Sequence, residues 1–385
     1  MSTSSPLKMA LIGGGGAGFI GKVHVTAATL DRQAELVAGA FSSNPERSKA
    51  AASQFGVSSE RAYSTWQELL TEEAKRPVGD RVDFLSIATP NFTHAEIACE
   101  ALKAGFHVVC DKPMTISLAD ADRMVATAEA SGKVFALSHN YSGYPLARQA
   151  RQMISEGQLG DIIAVRATYV QGWMHGMDPD VEADRGTWKS DTKKNGRAGS
   201  LGDVGTHAFH LAQFVSGLTP ARLLSRMNSY SAHHSLDDYG HAMIEFDQGA
   251  TGMITWSQVS HGRQNDLSLE IDGTQAALAW RQEEPNQMFV RALGQPVRVF
   301  ERDPNSSYCS TDAAAACRLP GGHPEAFFEA FANVYRNAFE EMRVRNSGSQ
   351  SASVIYPTVQ HGHDGVRFMD RCLASHDAKS AWQAW

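Results

Sequence analysis

Three segments of this 385-residue chain put glycines, a lysine and a histidine–aspartate pair where each could do chemistry. The first, Gly13-Gly14-Gly15-Gly16-Ala17-Gly18-Phe19-Ile20-Gly21, satisfies GxGxxG in two registers, one beginning at Gly13 and one at Gly16. Glycines permit a tight turn and let backbone amides approach a pyrophosphate, whose charge is favoured at the N-terminus of the following helix. The second comprises ATPNFTH (88–94) and AGFHVVCDKP (104–113), each closing a predicted strand, where open α/β sheets bind ligands. Lys112, between Asp111 and Pro113, suits bonding to a substrate hydroxyl and favouring the charge that builds as it loses its proton. The competing reading is a solvated surface lysine. The third is GSLGDVGTHAFHLAQFVSG (199–217). Val204, Ala208, Leu211 and Val215 recur at helical spacing and predict one buried stripe, with Asp203, His207 and His210 on the adjacent one. The i,i+4 spacing brings Asp203 and His207 together. An imidazole near neutrality, beside a carboxylate that orients it or the substrate, suits acid/base work on an alcohol. A helix cap at Asp203 and core packing of the histidines compete with that reading.

These residues need elements to hold them. Up to about residue 145, short apolar runs alternate with amphipathic stretches, the pattern of βαβ units on a parallel sheet. Strands are predicted at 7–12, 36–41, 82–88, 107–110 and 134–137. Thr93-x-x-Glu96 reads as a capping box before Ile97, Ala98, Ala101 and Leu102, and Gly105 as the left-handed residue ending that helix. After a helix over 146–156, alternating runs at 162–170, 242–246, 252–259 and 267–272 predict antiparallel strands of a second, α+β domain. Residues 305–322 read as a loop and 323–341 as an amphipathic helix.

The second strand ends in Phe41-Ser42-Ser43-Asn44-Pro45-Glu46-Arg47, without the acidic residue that often holds a ribose 2′-hydroxyl. Ser42, Ser43 and Arg47 suit a 2′-phosphate, which leans the expected cofactor from NAD toward NADP. Equally, Asn44 and Pro45 read as the cap and first residue of a surface helix. The segment 169–188 carries Trp173, His175 and Trp188 among polar residues, either as a loop whose aromatic faces stack on sugar C–H faces or as core. Arg197 suits a substrate hydroxyl or a surface charge.

With 42% hydrophobic and 20% charged residues the chain is an ordinary folded one. A formal charge of −7 disfavours nucleic acid, which draws its affinity from clustered Lys and Arg. The five scattered cysteines lack CxxC spacing, which suits a reducing cytoplasm. No apolar run approaches a membrane span and the N-terminus has no secretory pattern, so neither export nor anchoring is expected.

In order and spacing, IGGGGAGFIGKVH, ATPNFTH, AGFHVVCDKP and GDVGTH, with HNYSGYP (139–145) and the closing YPTVQHGHDGVRFMD, resemble the Gfo/Idh/MocA family of NAD(P)-dependent oxidoreductases over nearly the whole chain. That resemblance implies a Rossmann domain at 1–145 and, at 146–385, an α/β domain with a large, mostly antiparallel open sheet, its C-terminal helices returning to the first domain. It implies a hydride passing between nicotinamide and a secondary alcohol of a sugar, glycoside or cyclitol, with His207 as base, Lys112 polarising the oxygen and Asp203 orienting substrate or base. It implies cofactor contacts at Gly13, Gly15, Gly16, Gly18, Phe19, Ile20, Ser42, Ser43, Arg47, Thr89, Pro90, Asn91, His94, Asp111, Lys112 and Asn140. Tyr141 joins Lys112, Asp203, His207 and the aromatic loop on the substrate side, no metal is implied, and the sheet implies a homodimer or homotetramer.

Asp111 departs from the usual glutamate. Tyr141, Ser142 and Gly143 follow Asn140 where an arginine is common, which disfavours an acidic or phosphorylated substrate. His210 stands where an acidic residue is common. Two other readings compete: a cofactor-binding regulator without turnover, and a hydrolase or eliminase that oxidises its sugar transiently. A metal on His207, His210, His233 and His234 lacks a matching ligand spacing.

Overall fold

The structure, a computed structural model, describes residues 5–15, 19–174, 192–231, 235–349 and 354–385. The chain forms two compact units, Met1–Ser138 with Phe331–His363, and His139–Ala330 with Asp364–Trp385. In the first, β1 (Leu7–Gly13), β2 (Ala34–Ala40), β3 (Phe84–Ala88), β4 (His107–Cys110) and β5 (Phe135–Leu137) make a parallel sheet in the order β2-β1-β3-β4-β5. Met9, Leu11, Phe84, Leu85, Ile87, Val108 and Val109 are fully buried, which is why these strands read as unbroken apolar runs. The connecting helices are α1 (Ile20–Thr29), α2 (Pro45–Gln54), α3 (Trp66–Lys75), α4 (His94–Lys103) and α5 (Leu118–Ser131). Strand order reverses between β1 and β3, so ligands are expected at the carboxyl ends of these two strands.

Asn44 caps α2 through Arg47 N–H at 2.9 Å, with Pro45 as its first residue. The capping box at Thr93 does not form: Thr93 Oγ1 instead donates locally, toward Thr89 Oγ1 and the Pro90 carbonyl. Its backbone is already helical, an extension of the turn Asn91–Thr93, so the hydroxyl points away from the first-turn amides. Gly105 does take the left-handed conformation, φ 85°.

The second unit holds α6 (Pro145–Ser155), β6 (Ile162–Val170), α7 (Thr192–Asn195), α8 (Thr206–Ser216), β7 (Pro220–Asn228), β8 (Tyr239–Phe246), β9 (Thr251–Ser257), β10 (Asp266–Gly273), β11 (Ala276–Arg281), β12 (Gln287–Ala292), β13 (Arg298–Glu301), α9 (Thr311–Ala315) and β14 (Gln383–Ala384). Its strands form one sheet in the order β13-β12-β11-β10-β6-β9-β8-β7-β14. All neighbours are antiparallel except β6 and β9, which run parallel, so the sheet is mostly antiparallel, as the family resemblance implied. The chain closes through α10 (Phe327–Asn346) and α11 (Val359–Asp377). From Phe331 onward α10 belongs to the first unit, where Tyr335 and Phe339 pack on Phe84. It starts later than its apolar period suggests because Glu325 is drawn into the preceding loop, where its carboxylate accepts from Arg302, Arg318 N–H and Leu319 N–H.

His107 links β4 to α10 and carries a pH signature. Its Nδ1 accepts from Val134 N–H at 2.9 Å and its Nε2 faces Asn346 Oδ1 at 3.0 Å, so the neutral tautomer with hydrogen on Nε2 fits and a second proton would displace the Val134 amide. Burial holds this imidazole down to about 4. The unfolded chain then binds the extra proton first, so stability falls as pH drops through 6.5 toward 4, by up to about 3 kcal/mol. Urea unfolding across that range is expected to show a slope that His107→Gln flattens.

Candidate active site

In the first unit the chain turns from β1 into α1 through Gly13 and Gly14, at φ 85° and 75°. A Cβ on Gly14 would meet the Gly21 Cα at 2.7 Å, so turn and helix close on each other only as glycines. Gly15 N–H donates to the Phe41 carbonyl at 3.0 Å, whereas Gly16 and Gly18 lie outside the described residues. Phe19 and Ile20 open α1, which has no side-chain cap and no acidic residue in its first turn. Such an uncapped helix start fits an anionic group such as a pyrophosphate.

At the end of β2, Ser43 and Arg47 are exposed, while Ser42 Oγ accepts from Asn44 N–H at 3.2 Å. The segment after β3 brings Thr89, Pro90 and the buried Asn91 to the carboxyl end of the sheet. The two ring nitrogens of the buried His94 face the Pro113 and Thr89 carbonyls at 3.0 and 2.8 Å, which ties the loop after β3 to the loop after β4.

Beyond β4, Asp111 sits at the head of a buried relay. Ser138 Oγ donates to Asp111 Oδ1 at 2.5 Å and accepts from Lys112 N–H at 3.2 Å. His24 Nε2 stands 3.6 Å from the same carboxylate, and its Nδ1 meets Tyr335 OH at 2.7 Å, which in turn meets Ser86 Oγ. Burial pushes the Asp111 carboxyl up, but His24, Lys112 and Ser138 outweigh it and hold it at about 2. The charged aspartate thus fixes the backbone beneath Lys112, whose peptide to Pro113 is cis.

In the second unit Asp203 lies in a single π-type turn, Leu201–Gly205, that runs into α8. Asp237 holds the start of that turn: its carboxylate accepts from Gly199 N–H at 2.6 Å, Ser200 Oγ at 2.9 Å, Leu201 N–H at 2.8 Å and Trp256 Nε1 at 2.9 Å. Asp237→Asn leaves buried donors facing an amide and is expected to cost about 1–3 kcal/mol in urea unfolding. The stripe Val204, Ala208, Leu211 and Val215 is buried, but so are His207 and His210, because α8 packs on α6, β6, β9 and β10 and stacks Phe209 on Phe368. This corrects the expectation of a single buried stripe.

Around His207 the unit gathers neutral hydroxyls, amides and rings. Its Nδ1 lies 3.2 Å from His139 Nδ1, and the Tyr141 ring meets it edge-on at 4.8 Å. Asp203 Oδ2 accepts from Gln258 Nε2 at 2.8 Å, and Gln258 also reaches Gln171, which accepts from Trp173 Nε1 at 2.8 Å. Gln171 and Tyr169 both donate to Asn265 Oδ1 at 2.7 Å, and Tyr141 OH lies 2.6 Å from Tyr169 OH. Burial pushes both tyrosine hydroxyls up, so they act as neutral donors and acceptors. Arg197 is exposed and paired with Asp377 at 2.9 Å. His175, Trp188, His233 and His234 lie outside the described residues.

Sequence reasoning missed Gln171, Gln258, Tyr169, Asn265 and Asp237. The parallel pairing of β6 and β9 sets Val170 opposite Ser257, so the residues just beyond, Gln171 and Gln258, arrive at one sheet end. Only the pairing carries that signal.

A parallel sheet with a glycine turn opening its first helix, joined in one chain to a second sheet on which a helix with a buried histidine packs, is the architecture of a dinucleotide-dependent oxidoreductase. Residues 7–139 match the model of an oxidoreductase family with an NAD-binding Rossmann fold, and 147–279 match the GFO/IDH/MocA C-terminal domain. The chain belongs to the Gfo/Idh/MocA oxidoreductase family. It is similar to the uncharacterized oxidoreductase YfiI of Bacillus subtilis, at 31% identity over 98% of this chain and 97% of that protein. The levoglucosan dehydrogenase of Pseudarthrobacter phenanthrenivorans is 28% identical over 74% of this chain and 76% of its own length. An inositol dehydrogenase homolog from Azotobacter vinelandii, solved with NAD+, superimposes with a TM-score of 0.92 at 34% identity, covering 99% of this chain and 98% of that one. Among the described residues no helix is long and apolar enough to cross a membrane.

Proposed function

We propose that this protein is a dehydrogenase that moves a hydride between NAD(P) and a secondary alcohol or ketone of a neutral sugar, glycoside or cyclitol. The observation that carries this reading is His207: buried, with Nδ1 against His139 and the Tyr141 and Tyr169 rings packed on it, in the unit whose linked hydroxyls and carboxamides reach Asp203. The donors and acceptors of Tyr141, Gln171, Gln258 and Asn265 suit hydroxyl groups. Myo-inositol and levoglucosan, named with relatives of this chain, are ligands of that chemistry.

Bound NAD(P) supplies the hydride acceptor or donor. In oxidation, His207 Nε2 takes the alcohol proton, the Lys112 ammonium stabilises the oxygen as negative charge builds, and Asp203 orients the substrate or His207. In reduction the same groups return the proton. The open start of α1 and the turn at Gly13–Gly15 bind the pyrophosphate. Ser43 and Arg47, exposed after β2, where Ser42 and Ser43 stand in place of an acidic residue directly at the strand end, favour NADP over NAD.

The same reading places the protein in the cytoplasm as a homodimer or homotetramer. The exposed face of the nine-stranded sheet supports the oligomer, since Met243 pairs with Met253 across β8 and β9, both 37% exposed. Fluorescence titration with NADH and NADPH, then incubation of NAD+ and NADP+ with a polyol panel at 340 nm, tests the function. Turnover on a panel member is expected. Binding without any absorbance change would turn the reading toward a regulator or a transient-oxidation hydrolase, and no binding would remove it.

A further inference from the structure

Two imidazole nitrogens 3.2 Å apart hold one proton between them, because two lone pairs or two N–H groups at that distance repel. His139 and His207 meet in this way through their Nδ1 atoms. Three features make this a built contact. His139 is 1% exposed and begins the turn Asn140–Gly143. Its ring lies flat on His210 at 4.4 Å and 11°, so that it cannot swing without breaking the stack. The His139 ring then meets His207 nearly at right angles, 78°, which aims an in-plane nitrogen at its neighbour.

We infer that His139 is the positioning residue of His207, accepting its Nδ1–H and thereby fixing the tautomer whose Nε2 carries the lone pair of the base. The inference rests on the reading of His207 as the acid/base group. In alcohol oxidation the O–H and C–H bonds of the carbinol break and a C=O bond forms: the hydride would pass to the oxidised nicotinamide cofactor, the proton goes to His207 Nε2, and the histidine pair gains one positive charge spread across the shared Nδ1–H–Nδ1 bond. Reduction returns that proton to the oxygen. His210 supports the arrangement by holding the His139 ring plane.

The comparison of His139→Phe with His139→Asn tests this. Phenylalanine keeps the stack on His210 and removes the acceptor, whereas the asparagine oxygen falls near the position of Nδ1. For the phenylalanine variant kcat is expected to fall roughly 10²-fold, below the roughly 10⁴-fold seen when a wrong tautomer is enforced in a serine protease. KM for the polyol and the Kd for NADH should stay within about threefold, and asparagine should restore most of kcat. An unchanged kcat in His139→Phe, equal loss in both variants, or loss confined to KM would each overturn the proposal. If neither variant folds, 15N spectra of the histidine-labelled wild-type protein decide it, with the His207 signals assigned by their loss in His207→Ala. Hydrogen on Nδ1 supports the inference and hydrogen on Nε2 overturns it. Those spectra need no turnover, so a failed pairing is distinguishable from a failed assignment of the base, which His207→Ala reports in activity.

Discussion

Replacing His207 by alanine is expected to lower kcat by roughly 10²–10⁴-fold while NADH binding stays nearly unchanged. The magnitude follows from losing the one group proposed to take the alcohol proton; water in its place is a far weaker base near neutrality. Cofactor binding is spared because the glycine turn and the open start of α1 belong to the first unit, whereas His207 belongs to the second. Stopped-flow or steady-state rates on the polyol found by the panel, with NADH titration alongside, check both parts. Activity retained within a few fold would remove His207 as the base.

Lys112→Met is expected to lower kcat/KM by roughly 10²–10³-fold, the usual cost of removing one donor from a developing oxyanion. Methionine keeps the apolar stem and removes the charge, so the loss reads electrostatics more than packing. A second, independent consequence follows. Lys112 is among the groups holding the Asp111 carboxyl low, so its removal shifts Asp111 upward, detectable as a carboxyl titration above its present value of about 2. If the two residues act on one transition state, the double variant Lys112→Met with His207→Ala loses far less than the product of the single losses. Multiplicative losses would mean that they act independently.

The local parts of this molecule were legible in the residues themselves. The strands at 107–110 and 162–170 stand where alternation or an apolar run placed them, as do the Asn44 cap and the left-handed Gly105. Each depends on neighbours within a few residues. The Thr93 cap failed for a reason of the same kind, since the turn before α4 was already helical. The partners of His94 and Arg197 were beyond sequence reasoning, because a side chain has the right chemistry for a ligand and for a strut alike and its partners come from other segments.

By itself the sequence determined a glycine turn between a strand and a helix, a lysine at a strand end, and an aspartate and a histidine four residues apart near a helix start. Their covalent order and short-range periodicity suffice for that. The tertiary structure alone decided that β6 and β9 run parallel, bringing Gln171 and Gln258 to one end of the sheet beside Asp203. It alone set His139 against His207, 68 positions apart in the chain, because a contact at that separation is made by packing of whole elements and leaves no periodic trace in the residues between.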